Sequence, residues 1–287
     1  MSDTAVFDVL DGLYLTVLDQ VRREDRWLLW QTILTKEQRR NLVEAIPVSA
    51  HDRVLDAGCG FGALSFDIAI MKNARVVGVD ISDSSLELAS RINEELARIL
   101  PVSPVEFISG DIYNMSLPAD SFDFVIARFL FQHLDAPGKA LAEMIRTVKP
   151  GGYVCLIDID DQLEIQYPDL EEDVEGLYRS FRLLQKLENG DRMVGRKLTN
   201  YLYNAGCEIV VTILRPETEC RYLAYDDPAI QFEMERLGLA KGQLITRGMI
   251  TGDKFDEIME KIRRSYPRME WRTNSEVVAL GRKKTGM

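Results

Sequence analysis

The 287-residue chain is sparing with several residue types that mark whole classes of protein. It has four cysteines, Cys59, Cys155, Cys207 and Cys220, and no two stand in a C-x-x-C pair. That spacing argues against a zinc ribbon or a dithiol redox motif, and the four read as reduced thiols of a cytoplasmic protein. There are two histidines, His51 and His133, and no metal-ligand set is recognisable, so no metal is expected. No apolar run reaches 18 residues and no signal peptide or lipidation motif is visible, so neither a membrane span nor secretion is expected. Positive charge is also short: 35 Lys and Arg against 46 Asp and Glu give a net charge of −11. The basic clusters, such as Arg22-Arg23, Arg39-Arg40 and Arg282-Lys283-Lys284, are brief and scattered. A nucleic-acid enzyme needs a basic footprint, so the expected partner is a small molecule, bound by a monomer or homodimer.

What is present is a chain with 46% apolar residues, enough for one large α/β domain or a domain plus a cap. It is organised around Val54-Leu55-Asp56-Ala57-Gly58-Cys59-Gly60-Phe61-Gly62. A short apolar run ends in an acid, three glycines follow at every second position, and a helical pattern starts at Ala63. Strand, glycine turn and helix bring backbone N–H groups close to a nucleotide-like ligand. A dinucleotide fingerprint reads G-x-G-x-x-G and cradles a pyrophosphate. Here the third glycine comes one residue early, and Asp56 would repel a pyrophosphate but suits an ammonium group. The next strand, residues 75–79, ends in Asp80, placed for a ribose diol.

Residues 4–46 are predicted helical, with Val6, Leu10, Leu13 and Val17 on one face. Thr35-Lys36-Glu37-Gln38 reads as a capping box that starts a helix near Lys36. Strands are predicted over 52–56, 75–79, 105–109, 122–127 and 153–159. Helices are predicted over 62–71, from 83 or 84 to about 100 before Pro101, and from Pro137 to Val148. Beyond lie helices over 169–188 and up to Gly206, a sixth strand over 208–214, an insertion over 216–270 with two helices, and a last strand over 275–281.

The glycine loop, Asp80, and the runs Asp120-Ser121-Phe122-Asp123-Phe124-Val125-Ile126 and Val148-Lys149-Pro150-Gly151-Gly152 resemble the motifs of class I S-adenosylmethionine methyltransferases, in the pattern of the ubiquinone and menaquinone biosynthetic enzymes. The resemblance covers about residues 48–160. It implies a Rossmann-like, seven-stranded, mostly parallel sheet with an antiparallel last strand and helices on both faces. Residues 1–46 would be a helical lid on a methyltransferase domain of residues 47–287. It also implies S-adenosylmethionine as cofactor and S-adenosylhomocysteine as product. Asp56, Gly58, Cys59 and Gly60 would face the methionine part and Asp80 the ribose. Asp111 would take the adenine amino group, with the ring between Ile81 and Ile112.

Methyl transfer from a sulfonium is an SN2 displacement, in which alignment supplies most of the acceleration. His133, just past the fourth strand, is a candidate base, with a helix-end histidine bonded to backbone as the other reading. Asp158 and Asp160 share one face at the end of the fifth strand, and Asp160 is the candidate anchor or base of the acceptor. Arg128 faces either the cofactor or a neighbouring acid. Tyr14, with Trp27 and Trp30, is a large amphipathic residue of the lid and the third catalytic candidate. No Asn-Pro-Pro-Tyr or Pro-Cys follows the fourth strand, which leaves a small metabolite or natural product as the acceptor. The other class of reading is a cofactor-binding regulator or partner subunit without transfer activity.

Overall fold

The computed structural model describes residues 3–99 and 103–286. Three helices come first: α1 (Asp3–Val17), α2 (Arg23–Leu34) and α3 (Lys36–Ala45). Strand and helix then alternate as β1 (Arg53–Ala57), α4 (Ala63–Lys72), β2 (Arg75–Asp80), α5 (Asp83–Ile99), β3 (Glu106–Ser109), β4 (Phe122–Arg128), α6 (Pro137–Thr147) and β5 (Val148–Ile159). The rest comprises β6 (Ile165–Tyr167), α7 (Glu172–Leu187), α8 (Leu198–Asn204), β7 (Glu208–Leu223), α9 (Pro228–Thr246), α10 (Gly252–Arg264) and β8 (Arg268–Arg282). Pro101, expected to stop the helix that is α5, lies outside the described residues.

The sheet runs β3-β2-β1-β4-β5-β8-β6, with β7 on the other side of β8. Strands β1 to β5 are mutually parallel, and β8 enters antiparallel to β5 through Tyr153↔Arg282 to Ile159↔Glu276. The long β8 pairs with β7 along its whole length and with the short β6 at Trp271–Thr273. The sheet thus has one strand more than the seven expected.

Alternation along the strands splits the core by face. Val54, Phe124, Ile126, Cys155, Ile157, Val278 and Leu280 pack with α4, α5 and the first three helices. Leu55, Val125, Ala127, Val154, Leu156 and Ala279 pack with α6 and α8. A third, separate core holds α7, α9 and α10, around Leu177, Phe181, Leu237, Leu244, Phe255 and Ile258.

Two local readings give way to the structure. Thr35 does not cap α3 with its side chain; its hydroxyl donates to the Gln31 carbonyl at 2.9 Å, because the chain passes from α2 to α3 through a single residue. The strand expected to end at Leu214 runs on to Leu223, so 216–223 is strand and the two inserted helices occupy 228–264. Charged residues and Pro216 hide that extension from an apolar-alternation test. They are tolerated because β7 is an edge strand, exposed along most of its length.

Candidate functional site

The glycine loop after β1 fits its sequence. Gly58, Gly60 and Gly62 have φ of +75°, +51° and +78°, values that favour glycine. At Gly58 a Cβ would lie 2.9 Å from Leu130, and at Gly62 2.6 Å from Phe107. At Gly60 it would meet nothing within 4 Å, so this residue opens onto the front of the loop. The loop amides point into the protein. Gly58 and Cys59 N–H donate to the Val79 carbonyl at 2.8 and 3.1 Å, Gly62 to Cys59 O at 2.9 Å, and Gly60 to Asp80 Oδ2 at 2.7 Å. A pyrophosphate cradle needs such amides free, so the loop suits a ligand that approaches glycine without an anion. The Cys59 thiol also turns inward: a Cβ at Gly78 would meet it at 2.8 Å, which leaves only the Cys59 backbone to face a ligand.

The three acids at successive strand ends differ in setting. Asp56 is buried, accepts the Ser65 hydroxyl at 2.6 Å, and is pushed by burial up to about 7. Asp80 accepts the N–H of Gly60 through Oδ2 and of Ser82 through Oδ1 at 2.9 Å. Asp111 is exposed and accepts the Tyr113 N–H at 2.9 Å. Beside them Ile81 is 76% exposed, an apolar side chain held at the sheet's carboxyl edge, while Ile112 is half-buried. This edge has the parts a methionine, a ribose and a flat ring require.

Three candidate side chains are occupied by partners remote in sequence. The Tyr14 hydroxyl is buried and donates to the Phe61 carbonyl at 2.9 Å, so it braces the glycine loop against α1 rather than facing an acceptor. Arg128 is paired with Glu276 at 2.5 Å and lies over the Phe129 ring at 3.9 Å, so it has the neighbouring acid that was its other expected partner. Asp160 is locked by Arg196 and by the Gln162 N–H. Burial pushes it up, but those partners outweigh burial and hold it below the usual carboxylate range. Its buried carboxylate therefore has no free face for an acceptor. Asp158, the other acid on that face, accepts the Gln132 and Ile159 N–H groups.

His133 closes a 3₁₀ turn, Phe131–His133, that follows β4. It lines a cavity of about 1330 Å³ walled by α2, α7, α9 and the antiparallel pair β7 and β8. His133 is exposed at the cavity wall, and the protein around it, then the positive charge of Arg192, lower its pKa from the ordinary imidazole value. Arg192 grips Asp161 with Nε and Nη2 at 3.0 and 2.8 Å and donates from Nη1 to Gln132 Oε1 at 2.9 Å. Sequence reading passed over Arg192 and Gln132, whose only signal is adjacency to His133 and to the 190–198 segment. It also passed over Phe129, which has φ +59°. An aromatic residue there is strained, and such strain concentrates at functional sites. Among the described residues no group of three His, Cys, Asp or Glu side chains is placed to hold a metal ion. No described helix is long and apolar enough to cross a membrane.

Known proteins share this architecture. A family model described as "Methyltransferase domain" matches residues 48–206. A protein of transposon TN4556 of Streptomyces fradiae is 31% identical over 69% of this chain and 54% of its own length. A demethylmenaquinone methyltransferase of Oceanobacillus iheyensis is 27% identical over 61% of this chain and 77% of that protein. The chain spans about half the length of the first two curated relatives it matches. Among solved structures, a methyltransferase-titled protein of Bacillus halodurans superposes with a TM-score of 0.57 at 17% identity, covering 87% of this chain and 100% of that one. The cyclase SpnF superposes at 0.53 and 18%, covering 88% and 81%. The family model alone takes in more than half of the chain, and the chain belongs to the methyltransferase-domain family.

Proposed function

We propose that the protein transfers a methyl group from S-adenosylmethionine to a small-molecule metabolite or natural product. The observation that carries this is the adjacency of two features along one sheet edge. The glycine loop with Asp80, Ile81 and Asp111 lies at the carboxyl ends of β1, β2 and β3, and the large cavity begins at Gln132 and His133 after β4. The cofactor, when bound, supplies an electrophilic methyl on a sulfonium. In this reading Asp56 faces its ammonium, Asp80 its ribose and Asp111 its adenine amino group, with Ile81 and Ile112 on the ring.

The protein's part is to hold the acceptor in line and exclude water, which accounts for most of the rate. His133 shapes the cavity entrance and takes a proton from an acceptor that carries one. The chemistry suits an oxygen, nitrogen or carbon nucleophile. Relatives named for demethylmenaquinone favour a small organic acceptor over a macromolecule. Calorimetry with S-adenosylmethionine and with NAD tests the cofactor: the first is expected to bind and the second not. Formation of S-adenosylhomocysteine with a panel of hydroxylated and amino acceptors tests transfer. The other reading is a protein that binds the cofactor without transfer. It draws on Tyr14, Arg128 and Asp160 being engaged elsewhere and on a cyclase sharing the fold. Binding without product from any acceptor would favour it.

A further inference from the structure

The wall of the cavity away from His133 carries a cluster of charges that the transfer chemistry does not use. Arg236 on α9 and Arg268 and Arg272 on β8 face Glu164, Glu233 and Glu270, and all six line the cavity. Arg236 donates from Nη2 to Glu233 Oε1 at 3.0 Å and lies over the Phe181 ring at 4.9 Å. Arg272 donates from Nη2 to Gln166 Oε1 at 3.3 Å, with Glu164 and Glu270 at 3.5 and 3.4 Å from Nε but without hydrogen-bond geometry. Arg268 is spent on Glu270, Ser265 and Tyr266.

A guanidinium has five N–H donors, and Arg236 and Arg272 each use one. Among the described residues Nη1 has no protein acceptor in either, and both Nε atoms are buried without one. The cluster is therefore rich in donors and short of oxygen acceptors. The acids do not correct this. Among the described residues Glu164 makes no hydrogen bond, and it stands at the exposed edge of the cluster, 3.5 Å from Arg272 Nε. The surplus of donors at Arg236 and Arg272, two of them buried at Nε, is what the three glutamates leave unmet. The same cavity is lined by the apolar side chains Phe181, Leu184, Ile230, Phe232 and Leu239 among polar ones.

We propose that the methyl acceptor is an amphipathic carboxylate, its head bound by Arg236 and Arg272, its apolar body along Phe181 and Leu184, and its reacting end at His133. Planar guanidinium matches carboxylate geometry. A doubly charged phosphate is disfavoured because Glu233 and Glu270 already stand beside the two arginines. The proposal rests on the reading of this cavity as the acceptor site.

Calorimetry on the full chain with decanoate, decanol, decylamine and decyl phosphate, each below its critical micelle concentration, tests it. Decanoate is expected to bind at least tenfold more tightly than any of the other three. Arg272→Gln should weaken decanoate at least tenfold and leave decanol unchanged. Glu164→Gln should tighten decanoate, an improvement that misfolding cannot imitate. Decylamine or decanol binding as tightly as decanoate, tighter binding of decyl phosphate, or no binding of any of the four overturns the proposal, and the first comparison needs no variant. S-adenosylmethionine titrated into the same samples reads the cofactor separately. Decanoate binding without cofactor binding defeats the transfer reading alone, and the reverse defeats the carboxylate alone.

Discussion

At the scale of single residues, Asp56 and Asp80 make the sharpest expectations. In the free protein Asp56 titrates at about 7 because it is buried. An ammonium placed beside it stabilises the carboxylate, so its pKa falls on binding and a proton leaves. Titrations at pH 6.5 in buffers of different ionisation enthalpy should show that release, and affinity should rise with pH through about 7. Asp56→Asn should abolish both effects; release that persists in this variant would place the titrating group elsewhere. For Asp80→Ala, the lost charge-assisted bonds are worth roughly 1.5–3 kcal/mol, about ten- to a hundred-fold in S-adenosylmethionine affinity. Unchanged affinity in the folded variant removes the ribose assignment. His133→Ala should keep kcat within tenfold for an acceptor already deprotonated in solution. A base worth using would cost roughly 10²-fold or more, so a hundred-fold loss with normal stability would show that His133 takes the proton in the rate-limiting step. The acids ending β1 and β2 were legible in sequence because a strand, its last acid and its glycine turn are neighbours along the chain. Tyr14, Arg128 and Asp160 were not, since Phe61, Glu276 and Arg196 reach them across the fold, and the sequence does not say which charge finds which.

At the scale of elements, buried charge ties α1 and α3 to α4, the helix that follows the glycine loop. Arg39 on α3 donates to Asp67 of α4 at 2.5 Å and to the Thr32 carbonyl at 2.7 Å, and both Arg39 and Asp67 are buried. Arg40 joins Asp67 to Asp11 of α1. Removing one partner of such a pair leaves an uncompensated buried charge, which costs roughly 3–5 kcal/mol. Arg39→Met should therefore lower the denaturant midpoint sharply, and Arg39→Met with Asp67→Leu should recover much of the loss. Equal losses in the single and double variants would mean that the pair holds nothing together. The helical character of these segments, and the apolar stripe Val6, Leu10, Leu13 and Val17, were readable from spacing. The ion cluster was not, because Arg39-Arg40 looks the same on a solvated face as in a core. The extension of β7 escaped for the opposite reason: its register is fixed by β8, some sixty residues later, and not by its own pattern.

At the scale of the molecule, the core of α7, α9 and α10 is separate from the two cores on the sheet. Such units open independently of the rest. Hydrogen exchange should show the amides of α9 and α10 exchanging before those of β1, β4 and β5, with S-adenosylmethionine adding protection first around the glycine loop. Uniform protection would make the molecule a single cooperative unit. The place of β8 has a consequence for how the molecule is made. It follows β1 to β7 along the chain, yet it is inserted between β5 and β7. The half that holds the glycine loop can begin to assemble while more than a hundred residues are still to be translated. The half that forms the cavity must wait, with the edge of β5 unpaired until β8 arrives. In the growing chain that edge is the place for a chaperone to shield, or for a second nascent chain to pair with by mistake.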